Sequence, residues 1–255
     1  MSGPPQSAAH VVVLAAGRGS RLGALGGETP KWLLPVGGRA IAERHLQGIA
    51  AAGGRVASVR VVTGHAAAAI EAYLAVRAEP PAVDVVANPD FEGLNNWWSL
   101  LLALRDLPPS GPVVVLNGDL LTDPGWVSAF IADALDGADE GVLAVDTQRR
   151  LTDESMKVAL TGDGRLARIG KVDVPDPVGE YVGMLAVRGG VLEGLRARLE
   201  EFVDRPEAAG EWYEGAIGRT AADGLRWGIW ATPGTGWVEI DDDDDLSAAE
   251  ALARR

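Results

Sequence analysis

Four apolar, β-branched runs at residues 11–14, 56–62, 83–86 and 113–116 each lead through Gly, Asn, Asp or Pro into a stretch with Ala, Leu and Ile at helical spacing. That alternation is the pattern of a parallel sheet, whose strands are covered on both faces by crossover helices and so read as continuous apolar runs. Helices are expected over residues 40–52, 66–77, 97–107 and 126–135. The fold class is therefore α/β, with helices on both faces of the sheet. After about residue 141 the texture changes. Shorter strands are expected at 142–145, 157–160, 181–186, 225–230 and 237–240, with helices at 191–203 and 211–221, so the sheet is mixed while remaining mainly parallel. Ser247 and Glu250 have capping-box spacing and are expected to open a last helix.

With 255 residues, 47% of them hydrophobic, the chain can bury a full core without disulfides, metal or a partner. A loose tail over residues 1–9, rich in Pro, Ser, Gly and Ala, is expected to precede a single domain over 10–255. The absence of cysteine excludes disulfide frameworks, Cys-based zinc sites, iron–sulfur clusters and thiol nucleophiles, and leaves any catalysis to oxygen and nitrogen groups. A net charge of −13 repels phosphate backbones and anionic lipid, so neither nucleic acid nor a membrane is expected as a partner. The start carries no basic segment, and the apolar run at 11–16 is too short for a span, which points to a cytoplasmic protein.

The first strand runs into Leu14-Ala15-Ala16-Gly17-Arg18-Gly19-Ser20-Arg21-Leu22-Gly23. Small residues let backbone N–H groups approach an anion closely, and Arg21 adds a forked cation, so the loop reads as a triphosphate cradle. By itself it fits a plain tight turn as well. A dinucleotide fingerprint would need glycine where Leu22 stands, and the Gly-Lys-Ser/Thr of a P-loop is absent. Downstream, Thr29-Pro30-Lys31-Trp32-Leu33-Leu34-Pro35 places a lysine between two prolines, which holds its ammonium near the end of the first strand. A third feature is Leu116-Asn117-Gly118-Asp119: a carboxylate just past the carboxyl end of a strand, where parallel sheets place ligands. Asn-Gly-Asp is also good turn chemistry.

The glycine loop with Arg21 and the proline-flanked Lys31 together resemble the signature of the sugar-phosphate nucleotidyltransferase superfamily. Asn88-Pro89-Asp90-Phe91 followed by Asn95-Asn96-Trp97-Trp98-Ser99-Leu100 resembles its phosphocholine, phosphonate and inositol-phosphate cytidylyltransferase branch. So do Glu154-Ser155-Met156-Lys157-Val158, Ile169-Gly170-Lys171, Gly179-Glu180-Tyr181-Val182-Gly183 and Trp237-Val238-Glu239-Ile240-Asp241. The most compact phosphocholine enzymes lack a lysine where Lys157 stands, which tilts the resemblance toward the phosphonate and inositol-phosphate relatives. The resemblance implies a Rossmann-like nucleotidyltransferase fold, with a nucleotide-binding half over about 10–140 and an acceptor-binding half over about 141–255.

It also implies Mg²⁺, with Mn²⁺ as a substitute, held by Asp119 and Asp241. Glu239 and Asp241 share one strand face, so either could point at the metal. The acidic run 242–245 reads as a solvated stretch that supplies negative charge to a helix N-terminus. Arg21 and Lys31 are the expected catalytic residues. Leu14, Ala15, Ala16, Gly17, Gly19, Ser20, Asn95, Asn96, Ser99 and Asp119 would bind the nucleotide. Lys157, Lys171, Glu180, Tyr181, Trp212, Tyr213 and Glu239 would bind the acceptor. Trp97, Trp98, Trp212, Tyr213 and Trp230 are candidates for a cage around a quaternary ammonium, or for core. Glu214 could pair with an acceptor cation or lie on a helix surface. His65 could approach the nucleotide or mark a helix start. His10 and His45 carry no functional argument.

The implied reaction condenses a nucleoside triphosphate, CTP favoured, with a small phosphate or phosphonate acceptor. A sugar-1-phosphate nucleotidyltransferase using UTP, dTTP, ATP or GTP is a second reading. A non-catalytic nucleotide-binding regulator is a third.

Overall fold

Strand β1 (Ala9–Ala15) lies inside the main sheet, paired in parallel on one side to β4 (Val56–Thr63) and on the other to β6 (Val113–Asn117). The structure is a computed structural model that describes residues 8–19, 21–22, 29–108 and 111–254. Ser20 and residues 1–7 of the expected tail lie outside the described residues. The tail boundary needs correcting at its inner end, because Ala9 is fully buried and already in the strand.

After β1 a short antiparallel pair, β2 (Pro35–Val36) and β3 (Arg39–Ala40), leads into helix α1 (Ile41–Ala51). Beyond β4 come α2 (Ala67–Val76), the edge strand β5 (Val83–Ala87), parallel to β4, and α3 (Asn96–Arg105). The order β5-β4-β1-β6 is wholly parallel, as the apolar runs require. Each run lies within two residues of its expected position.

The second half is where the sheet becomes mixed. Strand β7 (Leu120–Thr122), α4 (Pro124–Asp136) and β8 (Gly141–Asp146) are followed by β9 (Lys157–Leu160), β10 (Leu166–Gly170) and the long β11 (Gly179–Val187). Strand β11 runs antiparallel to β6, β8 and β9, and so joins the parallel half to the rest. Helices α5 (Gly189–Val203) and α6 (Tyr213–Ala222) precede β12 (Trp227–Ala231), which pairs in parallel with β8. Neither β7 nor β10 is anticipated by the sequence reading; each is short, and β10 alternates weakly, with exposed Ala167 and Arg168.

Strand alternation divides the core. Val11, Val13 and Ala15 face a cluster with α1 and α4, while Val12 faces another with α3, α5 and α6. The last strand, β13 (Trp237–Glu239), does not join the main sheet. It pairs antiparallel with β7, Glu239 opposite Leu120, and the Ile240 N–H donates to the Asp119 carbonyl at 3.0 Å. Helix α7 (Asp243–Ala253) then begins four residues before Ser247. Its capping box is Asp242 with Asp245, not Ser247 with Glu250, because the aspartates accept the unpaired N–H groups of the first turn and oppose the helix dipole.

Candidate active site

A cleft of about 820 Å³ opens at the carboxyl ends of β1 and β6. One wall is the glycine loop and the start of α3, the other the segment before β9, the turn after β10 and the start of α6, and the floor carries β13. Leu14, Ala16, Gly17, Arg21, Asn95, Asn96, Ser99, Asp119, Lys171, Glu180, Tyr181, Trp212, Glu239 and Asp241 all line it. These expected residues come from elements as much as 227 positions apart in the chain.

Lys31 is the hub. It sits in a 3-10 turn (Lys31–Leu33) after Pro30, and its Nζ is 3.2 Å from Asp119 Oδ2 and 2.5 Å from Asp241 Oδ1. Arg21 contacts the other oxygen of Asp241 at 2.9 Å. The Lys31 stem lies along the glycine loop: a Cβ on Gly19, whose φ is +60°, would stand 3.1 Å from Lys31 Cγ. Gly19 thus backs the lysine while Gly17, with open space where a side chain would be, faces the cleft. Ala15 is buried below the loop rather than in the wall.

The electrostatics follow from crowding of acids around one cation. Burial opposes the charge on Lys31, but Asp119 and Asp241 outweigh it and hold the ammonium above the usual lysine range. Burial likewise opposes the charge on Asp241, yet Lys31 and Arg21 keep that carboxylate below its usual range. Glu239 is accessible from the cleft but deep within the protein mass; desolvation first, then the charges of Asp119, Asp241 and Glu214, push it up to about 8. Among the described residues no three His, Cys, Asp or Glu side chains form a ready metal cage. Two carboxylates converging on one positive charge are nevertheless a donor set that fits Mg²⁺, which keeps several waters and needs one or two protein oxygens.

The acceptor half departs more from expectation. Lys157 lies outside the cleft wall: its ammonium donates to the backbone carbonyl of Lys171 at 2.8 Å and reaches those of Asp153 and Ser155, so it staples the wall together. Lys171 does face the cleft, 2.8 Å from Glu154 and 5.2 Å from the centre of the Trp212 ring. Tyr213 is fully buried behind the wall; its hydroxyl donates to Asn117 Oδ1 at 2.8 Å and shares a 3.0 Å hydrogen bond with the Tyr181 hydroxyl. Trp97 belongs to the core against Phe202, and Trp230 packs on Phe130 and Trp126, so neither can join a cage with Trp212. Trp98 is turned to Asp90 and Arg105.

Asn95 caps α3, its side chain accepting from the Asn96 N–H at 2.7 Å, while Asn96 Oδ1 accepts from the Tyr213 N–H at 3.0 Å. Ser99 accepts from buried Asn88 at 2.9 Å. His65 starts a turn beside Phe91 and is not in the cleft wall. Glu214, for which the sequence leaves open an acceptor-cation partner or a helix-surface residue, is not on the surface: it is buried and lines the cleft. Burial pushes it up to about 7, and its Oε2 has no hydrogen-bond partner. Arg149 and Trp237 were not anticipated as cleft residues: the guanidinium stacks 4.3 Å from the Trp237 ring, whose N–H is tied to buried Asp146 at 2.8 Å. No local sequence signal separates Arg149 from its neighbour Arg150.

The model of the MobA-like NTP transferase domain matches residues 11–209. The curated bifunctional protein GlmU of Alkalilimnicola ehrlichii is 30% identical over 256 residues, covering 98% of this chain and 52% of that protein. CMP-5'-(3-aminopropyl)phosphonate synthase of Streptomyces rubellomurinus is 30% identical over 250 residues, covering 94% of this chain and 38% of that protein. The chain therefore spans about half the length, or less, of these relatives. Among solved structures, CTP:phosphocholine cytidylyltransferase (LicC) of Streptococcus pneumoniae superposes with a TM-score of 0.75 at 17% identity, over 96% of this chain and 99% of that one. A glucose-1-phosphate thymidylyltransferase of Bacillus anthracis, so described provisionally, superposes at 0.77 and 16% identity, over 97% and 96%. Both share the fold.

Proposed function

This chain belongs to the MobA-like NTP transferase domain family, and from that premise we propose that it joins CTP to a small, cation-bearing alcohol phosphate or phosphonate, releasing pyrophosphate. One observation carries the reading: Lys31 is held between Asp119 and Asp241 at the mouth of a glycine loop, where a triphosphate would enter. An oxygen of the acceptor's phosphate or phosphonate forms a bond to the α-phosphorus as the bond to the bridging oxygen breaks, and pyrophosphate leaves with that oxygen. No general base is required, since a phosphate monoester has its second pKa at about 6 and arrives mostly dianionic.

Lys31 stabilises the charge that develops at the α-phosphoryl group. Arg21 and the loop amides hold the departing β- and γ-phosphates. Asp119 and Asp241 would hold a Mg²⁺ ion, with Mn²⁺ able to replace it, which supplies charge neutralisation between two polyanions when bound. Lys171 faces the acceptor's anion. Glu214, with an unpaired carboxylate oxygen beside Trp212, faces its cation.

Cytidine is favoured by the Asn95-Asn96-Trp97-Trp98-Ser99-Leu100 segment. The similarity to GlmU supports a second reading, in which the same chemistry joins another nucleoside triphosphate to a sugar 1-phosphate. A matrix of five nucleoside triphosphates against phosphocholine, 2-aminoethylphosphonate, inositol 1-phosphate and glucose 1-phosphate, read out as pyrophosphate, separates the two. The expected result is release with CTP and a cation-bearing acceptor, phosphocholine or 2-aminoethylphosphonate. Release only with glucose 1-phosphate would replace this reading by the second, and no release from any pair would leave a nucleotide-binding protein without transferase activity.

A further inference from the structure

Behind the contact between Lys31 and Asp119 lies a second, uncharged connection between the same two segments. Trp32, next to Lys31, is 1% exposed, and its indole N–H donates to His45 Nδ1 at 3.3 Å. His45 Nε2 lies 2.7 Å from the carbonyl oxygen of Leu120, the residue after Asp119. An imidazole that accepts at Nδ1 must carry its proton at Nε2 to donate to a carbonyl, so the two partners fix one neutral tautomer. Burial supports that state by pushing the His45 pKa down to about 4. The ring stands on α1, the helix that packs on α4 and on the Lys31 turn.

We propose that His45 is a positioning residue, a buried strut that sets the Lys31 turn against the strand following Asp119. The inference rests on the nucleotidyl-transfer reading for its effect on rate. Its physical basis is that the Lys31 ion pairs cannot keep the site in register throughout a reaction, because an ammonium that turns toward phosphate oxygens gives up part of its contact with Asp119 and Asp241. None of Trp32, His45 and Leu120 lines the cleft, so this chain need not exchange partners when the Lys31 contacts do. A misplacement of about 1 Å at such a group can cost on the order of a hundredfold in rate.

The test compares His45→Leu, which removes both hydrogen bonds, with His45→Gln, whose amide N–H can still reach the Leu120 carbonyl, and Trp32→Phe, which removes only the donor to Nδ1. His45→Leu is expected to lower kcat by about 10- to 100-fold with KM for the nucleotide within about threefold, and His45→Gln to recover most of the loss. In a Lys31→Ala background His45→Leu is expected to cost less than about twofold, because its effect passes through Lys31. Acylation of Lys31 in the substrate-free protein, followed by mass spectrometry, gives a readout independent of turnover. Labelling is expected to be at least about fivefold faster in His45→Leu than in wild type, as the ammonium leaves its paired position. Equal kcat losses in both backgrounds with unchanged Lys31 labelling would show a purely structural histidine and overturn the proposal. If His45→Leu does not fold, Trp32→Phe carries the same comparisons, with His45→Gln as the control that keeps the Leu120 contact. A wild-type protein that releases no pyrophosphate from any pair would sink the reaction reading, while the labelling result would still decide the strut.

Discussion

Lys31 Nζ stands 3.2 Å from Asp119 Oδ2 although 88 residues separate them, and the same ammonium reaches Asp241 after a further 122. Two carboxylates of the cleft lining thereby share one ammonium. Removing either sign should be felt there. Lys31→Ala and Asp119→Asn are each expected to lower turnover at least about a hundredfold, as loss of a group facing developing charge does. Pyrophosphate release at saturating substrates checks this, and full activity in either variant removes that residue from the mechanism.

A Cβ added to Gly19, whose φ is +60°, would stand 3.1 Å from Lys31 Cγ. Gly19→Ala should therefore strain the backbone by about 1–2 kcal/mol and push the Lys31 stem away from Asp119. The expected outcome is a lower melting temperature together with a fall in kcat larger than that of Gly17→Ala, whose new methyl group meets no protein atom. Equal kcat in the two variants would mean that the loop does not set the lysine.

Glu214 is buried, with a pKa raised from 4.5 to about 7. Between those values the unfolded chain is ionised while the folded site holds a proton, so stability falls as pH rises from 4.5 to about 7 and stays lower above it. Glu214→Gln is thus expected to raise stability at pH 8, by up to about 3 kcal/mol, and to do little at pH 4. Denaturant titrations at the two pH values test this. On the acceptor side the sign reverses: kcat/KM for an amine-bearing acceptor should rise as pH passes through about 7, and lose about 10-fold or more in Glu214→Gln. A neutral acceptor should be much less affected.

His45 gives the opposite dependence from the acid side. Its folded pKa of about 4 lies below the usual 6.5, so the neutral ring contributes its full stability above 6.5 and loses it as pH falls toward 4. The loss amounts to about 3 kcal/mol at most. Replacement by Gln should remove the His45 contribution, so that its difference from wild type shrinks as pH falls from 6.5 toward 4, while lowering the plateau. Because Glu214 slopes the other way over much of the same range, the check is the difference between the wild-type and Gln curves, and a difference that does not change between pH 6.5 and 4 would contradict the buried neutral state.

Much of this molecule is legible along the chain. The parallel strands β1, β4, β5 and β6 are apolar runs bounded by turn residues, and both properties are local. Gly19, Lys31 and Asp119 stand out for a similar reason: each is a chemical type placed just past a strand or between prolines. Lys157 and Lys171 look alike in sequence but not in space. One is bound to backbone carbonyls and the other faces the cleft, because the turn that follows β10 brings the Lys171 carbonyl within 2.8 Å of the Lys157 ammonium. The same holds for the tryptophans, whose separation into core and cleft depends on which helix face packs on which sheet face.

The sequence by itself therefore determined the layered α/β plan and the residue types available for handling phosphate, since hydrophobic period and turn chemistry act over a few neighbouring positions. Only the tertiary structure decided that β13 pairs with β7 and brings Asp241 to Asp119, that Glu214 is buried with an unpaired oxygen, and that His45 joins Trp32 to Leu120. Those outcomes depend on strand pairing and desolvation between segments far apart in the chain, quantities to which no local window of residues is sensitive.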